Sequence, residues 1–151
     1  MKKGESFLSR DELKKKWDSR HLFILICRLE IVIKDIKTYE RILSIRNLVF
    51  NINEDYEKHL ELAKICRKED RFATCLNVLN RLKLKLGNDN KNVKIKVDLN
   101  IQKCLYENNN QDLAINNLKT IINDEINNLN NGLKSRIFCY YSIWNMNKFG
   151  K

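Results

Sequence analysis

Cysteine and histidine offer the most versatile chemistry in this 151-residue chain, which has five of the first and two of the second. The cysteines lie far apart, at Cys27, Cys66, Cys75, Cys104 and Cys139. Zinc sites commonly combine a CxxC pair with further cysteine or histidine ligands nearby, and the sequence has no such group. The odd count and wide spacing indicate reduced thiols in a cytosolic or nuclear protein. We therefore expect small buried side chains within helices, and neither a metal nor a cofactor.

A dyad of His59 and Cys66 comes nearest to nucleophilic chemistry. The two residues are seven positions apart on one predicted helix, about two turns, so the imidazole could not readily activate the thiol. We expect His59 at a surface or an interface instead. Cys66 and Cys75 can approach each other across a helix pair, where they would act as packing residues.

The positions of glycine and histidine exclude phosphoryl transfer by this chain. The four glycines, Gly4, Gly87, Gly132 and Gly150, are too widely spaced to form a phosphate-binding loop. Both histidines precede leucine, so the sequence lacks the His-Arg-Asp loop of a protein kinase, and its Phe-Gly step follows Lys148 instead of an aspartate. We expect no catalytic residue and no enzyme activity from this chain itself.

The charge balance is strongly basic, with 29 Lys and Arg against 19 Asp and Glu and a formal net charge of +10. Such a surface attracts polyanions, so binding of nucleic acid is one interpretation. The basic residues are spread along the chain, however, and no aromatic residues interleave with them as a base-stacking surface requires. We favour solvated helix faces and regard nucleic acid as an unlikely partner.

The scarcity of helix breakers predicts an all-α protein, because the chain has no proline and only 4 glycines. The apolar run over 22–33 contains Arg28 and Glu30 and falls short of the about 20 residues that a membrane-spanning helix needs, so we expect no membrane span. Ser9, followed by two acidic residues, marks a helix start. Apolar periodicity from there predicts a long helix over 10–47.

Two helix pairs follow, with a predicted repeat of about 39 residues. The first pair covers 53–87, with Asn53 as its N-cap and Gly87 as a left-handed C-cap. The second pair covers 93–130, and 133–148 would be the first helix of a third pair. One feature of the second pair, the alternation of Val93, Ile95, Val97 and Leu99, also fits a strand.

The helix pairs fit a tetratricopeptide-type frame, in which a large and a small residue on the first helix face a small residue on the second. Small residues there let the two helices approach closely. We expect nine residues of the two pairs to pack in this way: Leu62, Ala63, Cys66, Phe72, Cys75, Leu79, Leu82, Ala114 and Leu118. We also expect Arg46 to pack at the joint before the first pair. The predicted fold is an all-α solenoid of antiparallel helix pairs, resembling TPR or HEAT repeats, in a single domain over 1–151.

The joint and the first pair have a recognisable order of residues. A helix ends in Arg46, Asn47, Leu48 and Val49, an acidic helix start follows at Glu54 and Asp55, and that helix closes with Cys66, Arg67 and Lys68. In this order, residues 42–79 resemble the FAT region of the TOR-type phosphatidylinositol-3-kinase-related protein kinases. The likeness extends more weakly over 17–149.

The resemblance implies a non-catalytic helical scaffold that braces a serine/threonine kinase domain and binds other subunits of the kinase complex. The last helix, aromatic-rich and without a partner helix or a polar capping unit, predicts that this chain is a fragment of a larger FAT region. The reduced thiols place it in the cytoplasm and in the nucleus as well. A free-standing repeat adaptor that binds a peptide or protein in its groove is the alternative, and a basic nucleic-acid-binding protein is the third. In all three the chain acts by binding, without a cofactor.

Overall fold

The computed structural model describes Ser9, Asp11, Glu12 and residues 35–150. Six helices lie in this part of the chain: α1 (Ile36–Val49), α2 (Ile52–Lys68), α3 (Phe72–Lys85), α4 (Lys91–Glu107), α5 (Gln111–Glu125) and α6 (Asn131–Phe149). A short 3-10 helix, Ile126–Asn128, connects the last two, and the described residues contain no strand. From α3 onward each helix packs against the next one in the chain. The predicted all-α fold of packed helix pairs is confirmed.

The chain divides into two compact units, Met1–Lys58 and His59–Lys151. In the first unit, the helix start predicted at Ser9 is present. The Ser9 backbone N–H donates to Glu12 Oε2 at 2.9 Å, and the Glu12 backbone N–H donates to Ser9 Oγ at 3.3 Å. This reciprocal pair is the capping box that satisfies backbone donors at a helix start.

The long helix predicted over 10–47 lies for the most part outside the described residues. At Asp35 that prediction is wrong, because the residue is extended (φ −122°, ψ 101°) and α1 begins after it. The Asp35 carboxylate accepts hydrogen bonds from the Lys37 backbone N–H and the Thr38 hydroxyl. An aspartate that caps the following helix competes with helical backbone at its own position, which explains the break.

The N-cap of α2 is Asn51, not the predicted Asn53. The Asn51 carbonyl accepts the backbone N–H groups of Glu54 and Asp55, both at 3.0 Å, and its side-chain oxygen accepts that of Asn53 at 3.2 Å. Asn51 therefore satisfies the first donors of the helix, and Asn53 lies within its first turn. Both asparagines have the type of side chain that caps helices, so composition alone does not separate them.

The same turn closes α2 and α4. Asp70 (φ 57°) and Asn109 (φ 62°) are in the left-handed region, and the next residue in each case donates its N–H five residues back, from Arg71 to Cys66 and from Asn110 to Leu105, both at 2.9 Å. This is the hydrogen bond of a Schellman motif. The two turns lie 39 residues apart, and so do the first residues of α2 and α4 and of α3 and α5.

The predicted left-handed cap at Gly87 is wrong, since no described glycine has a positive φ. Helix α3 ends at Lys85, and the extended Leu86 donates its N–H to the Leu82 carbonyl at 3.1 Å. Leu86 is itself buried. Burial of this leucine holds the chain in an extended exit, so the turn that glycine would make is not needed.

The strand-like alternation in α4 arises because this helix is buried on two opposite sides. Ile95 and Leu99 belong to a core cluster with α5 and α6, whereas Val93, Val97 and Cys104 are buried outside that cluster. Residues two apart point about 200° apart around a helix, so a helix packed on both sides shows apolar alternation. Helix α4 packs against α3 on one side and α5 on the other.

Candidate functional site: the buried helix interfaces

Arg46, the arginine predicted at the joint, binds Asp55 in the first turn of α2. Arg46 Nε donates to Asp55 Oδ2 at 3.0 Å, and Nη2 donates to Oδ1 at 2.5 Å. Both side chains are buried, at 5% and 7% exposure, and the guanidinium lies 4.7 Å from the centre of the Phe50 ring. Such a bidentate pair fixes both position and orientation, so it holds the end of α1 against the start of α2.

Sequence reasoning missed Asp55 as the partner of Arg46 and placed it only as an acidic residue at a helix start. The signal was available, because the two opposite charges flank a joint of two residues, Phe50 and Asn51. Arg46 Nη1 is buried and makes no hydrogen bond within the described structure. The pair is therefore well matched in geometry but not fully satisfied.

Nine of the ten residues predicted to pack are buried. Leu62, Ala63 and Cys66 are buried on α2, and Cys66 lies four residues after Leu62 and three after Ala63, the spacings that share a helix face. The others are Arg46 on α1, Cys75, Leu79 and Leu82 on α3, and Ala114 and Leu118 on α5. Phe72 differs, since its side chain is half-buried at the start of α3. Their role as close-contact points between repeats stays a prediction.

Three cysteines from three helices lie together. Cys66, Cys75 and Cys104 are buried thiols outside any disulfide, and Cys75 lies close enough to the other two to interact with them electrostatically. Cys104 Sγ also lies 3.6 Å from the Phe72 carbonyl, to which it donates. Sequence reasoning anticipated that Cys66 and Cys75 approach each other but missed Cys104, which lies one helix further along. Cys27 is outside the described residues.

Burial sets the chemistry of these thiols. It raises the pKa of Cys75, with the neighbouring Cys104 thiol as a further cause, and it raises the pKa of Cys104 as well. A thiol must ionise to act as a nucleophile or a metal ligand, so these groups behave as small apolar side chains. Among the described residues, no group of three metal-ligating side chains could hold an ion.

The second set of interfaces joins α4, α5 and α6. Buried Gln102 on α4 accepts a hydrogen bond from the Asn117 amide on α5 at 2.9 Å. Tyr106 on α4 stacks on the buried Trp144 of α6, with ring centres 4.3 Å apart and planes 9° from parallel. The amide pair and the stacked rings fix the register of each helix against its neighbours, because both depend on orientation.

Ion pairs between neighbouring helices use part of the positive charge. Four cations pair with anions on other helices: Arg67 with Glu107, Lys83 with Asp98, Lys91 with Glu125, and Lys148 with Asp112. Each cation is thereby committed to the repeat array and is less available to an external phosphate. In the part of the chain that the structure describes, no helix is long and apolar enough to cross a membrane.

Helices that stack in sequence order, repeated turns and interfaces of apolar and small side chains define an all-α helical-repeat protein. Comparison with known proteins identifies the family to which the chain belongs. The family model of the FAT domain matches residues 1–151, and the chain belongs to that family. The family and the TOR-like relationship expected from the sequence are confirmed.

One relative is the serine/threonine-protein kinase TOR2 of Saccharomyces cerevisiae, which is 34% identical over 70 residues. The matching region is 46% of this chain and only 2% of the yeast kinase. The chain therefore spans a small part of the length of that curated relative. No solved structure matches the chain.

Proposed function

We propose that this chain is a non-catalytic scaffold segment of the FAT region of a TOR-like serine/threonine kinase. In this role it braces the kinase domain, contacts further helical repeats and binds other subunits of the kinase complex, in the cytoplasm and also in the nucleus. The match of the FAT family model to the whole chain is the observation that carries the proposal. The likeness to the yeast kinase supports the choice of a TOR-like enzyme.

We propose further that residues 1–151 form one helical-repeat domain that continues into a larger FAT region. The pairs α2–α3 and α4–α5 are then two repeats, and α6 is the first helix of a third. The period of 39 residues in helix starts and in the turns at Asp70 and Asn109 supports this assignment. Equivalent small residues support it too, because Cys75 and Ala114 are both fully buried 39 residues apart.

Stacked helices suit a bracing role for a physical reason. In a repeat array each helix pair contacts only its neighbours, so the array forms an extended and stiff surface that can hold a partner in place. Helix α4 shows the same kind of packing, because it is buried between its two neighbours in the chain, α3 and α5. The residues that matter for this function are the packing residues, and no catalytic group is required.

The bracing role is tested by introducing Ala63→Trp into the native gene and measuring the kinase activity of the immunoprecipitated complex. Ala63 is buried on α2, so the larger side chain should disrupt the array and lower activity severalfold. Lys64→Trp is the matched control, because it places the same side chain at an exposed neighbouring position. Equal activity of the two variants would contradict a bracing role.

A free-standing adaptor is the second candidate, and the exposed apolar side chains of α6 favour it. An adaptor would fold alone, bind its partner through that helix and be present in cells as a separate short protein. Binding of nucleic acid has less support, because neighbouring helices already use several cations in ion pairs. Nucleic-acid binding would also weaken steeply between low and moderate salt.

A further inference from the structure

The first turn of α6 contains a pair of residues that can react with each other. Asn131 and Gly132 are the first two residues of this helix, and both are exposed. Asn131 is also the only asparagine of the sequence that precedes glycine. In such a pair the backbone nitrogen of the second residue can attack the side-chain carbonyl carbon of the asparagine. Glycine favours this attack because it has no side chain to obstruct it and leaves the backbone the most freedom.

The fold does not require glycine at position 132. Gly132 lies within α6, and no glycine in the described ranges has a positive φ. A Cβ built on Gly132 would lie 3.8 Å from Asn130 Oδ1, which is an ordinary van der Waals distance. Glycine is also less favourable than alanine within a helix, so stability does not explain its presence here. The reactivity of the pair is therefore separable from the fold by substitution at this position.

The Gly132 nitrogen is placed to act as the nucleophile. It lies in the first turn, where backbone N–H groups have no carbonyl partner within the helix, and the Asn130 side chain caps Leu133 instead, at 2.8 Å. The Asn131 carbonyl, in the same peptide group as that nitrogen, accepts the Ser135 hydroxyl at 2.9 Å. When the nitrogen loses its proton, negative charge spreads onto this carbonyl oxygen. The hydrogen bond and the positive end of the helix dipole both stabilise that charge.

Only Asn131 has to leave the helical backbone for the attack. Rotation about its Cα–C bond brings the side-chain carbonyl carbon to the Gly132 nitrogen, whereas the peptide group between the two residues stays in the helix. This rotation displaces only the chain that precedes it. It occurs at a helix end, where local opening costs the least free energy.

We propose that Asn131 and Gly132 form a spontaneous modification site, at which the folded chain converts Asn131 to aspartate and isoaspartate. The Gly132 nitrogen bonds to Asn131 Cγ and gives up its proton, the Cγ–Nδ2 bond breaks, and ammonia leaves a cyclic succinimide. Water then opens the ring. Addition at the side-chain carbonyl gives aspartate, and addition at the main-chain carbonyl gives isoaspartate. The reaction needs no oxidant, enzyme or partner, so it is independent of the scaffold function.

The two products affect α6 in opposite ways. Aspartate places a negative charge in a first turn that has no acidic residue, where it interacts favourably with the helix dipole. Isoaspartate inserts a Cβ atom into the main chain between Asn130, whose N–H donates to Asn92 Oδ1 on α4 at 3.1 Å, and the buried Leu133. The longer main chain cannot keep both of these contacts and the cap, so isoaspartate loosens the start of α6 from α4.

The site is tested by incubating the full 151-residue chain in native buffer at mildly alkaline pH. Each asparagine is followed by peptide mapping, since replacement of the amide NH2 by OH raises the mass and chromatography separates the two products. Asn147, which is exposed in the last turn of the same helix and precedes lysine, is the internal reference. We expect Asn131 to convert at least tenfold faster than Asn147.

Three variants separate this reaction from general ageing of the protein. Gly132→Ala should slow conversion of Asn131 at least fivefold, because a methyl group obstructs the nitrogen but fits the fold. Asn131→Gln keeps the amide and should stay unmodified, because closure would need a larger ring. After incubation the wild type should contain a population that melts at a lower temperature, whereas both variants should melt like fresh protein. Asn131→Asp, which adds the charge without isoaspartate, should melt no lower than the fresh wild type.

Conversion of Asn131 no faster than that of Asn147 would overturn the proposal, and so would equal conversion in the wild type and Gly132→Ala. Incubation of the wild type in urea gives the rate for the unfolded chain. Conversion of Asn131 in urea but not in native buffer would show that the folded helix start protects the pair, which would also overturn the proposal.

Discussion

Arg46 and Asp55, nine residues apart, form a buried bidentate ion pair between the end of α1 and the first turn of α2. Removal of one partner leaves the other charge buried without compensation. Arg46→Met or Asp55→Leu alone should therefore lower the free energy of unfolding by about 3–5 kcal/mol, measured by urea denaturation.

The double variant with Arg46→Met and Asp55→Leu should recover most of that loss, because two apolar side chains leave no buried charge. Lys148→Met is the surface control, since its pair with Asp112 is largely exposed and should be worth less than about 1 kcal/mol. Single variants no less stable than this control would show that the buried pair does not hold the joint.

The left-handed turns at Asp70 and Asn109 should respond alike to substitution. Valine is strained at positive φ, so Asp70→Val and Asn109→Val should each cost about 1–2 kcal/mol in thermal or urea unfolding. Glycine adopts this conformation readily, so Asp70→Gly and Asn109→Gly should be far milder. Asn108→Val, at φ −84°, is the control for valine in the same turn. A similar loss there would mean that positive φ is not the cause.

Overpacking of α2 tests the close approach expected at Ala63. Ala63→Trp should destabilise the folded chain by about 1–3 kcal/mol, because the buried site has no room for an indole. Lys64→Trp, at an exposed position on the same helix, should unfold close to the wild-type temperature. An Ala63→Trp variant that melts like the wild type would refute the packing role of Ala63.

The buried thiols of Cys75 and Cys104 predict a loss of stability at alkaline pH. Folding raises the pKa of both thiols, so above the unfolded value of about 8.5 the folded chain binds more protons than the unfolded chain. Their contribution to the free energy of unfolding is therefore full below that pH and falls above it, by up to about 1.4 kcal/mol per pH unit for each thiol.

Urea denaturation of wild type and of Cys75→Ala with Cys104→Ala, between about pH 8.5 and 10, measures that contribution. The double variant should have the shallower pH dependence. Identical slopes for the two proteins would contradict neutral buried thiols at this interface.

Helical periodicity predicted the helices well where a helix has one buried side. Helix α2 begins two residues before the start that an N-cap at Asn53 predicts, and α6 covers Asn131–Phe149 where 133–148 was predicted. The apolar alternation in α4 was ambiguous. A strand with one buried side and a helix with two buried sides both place an apolar residue at every second position. Local pattern defines a buried side but does not say how many neighbours cover it.

The features that the sequence did not predict depend on contacts or on competition between similar residues. Asp55 and Cys104 acquire their roles only when another helix brings Arg46 or Cys75 to them. Asp35 and Asn51 cap helices that nearby polar residues could equally have capped. At the end of α3, burial of Leu86 decides the chain path, so Gly87 has no special conformation.

The size of the native protein tests the central claim most directly. An antibody against residues 53–87 would be used on a denaturing immunoblot of extracts from the source organism. We predict a band far above 18.0 kDa, the mass of this chain, because a FAT segment belongs to a large kinase polypeptide. A single band at 18.0 kDa would contradict the scaffold function and favour the free-standing adaptor.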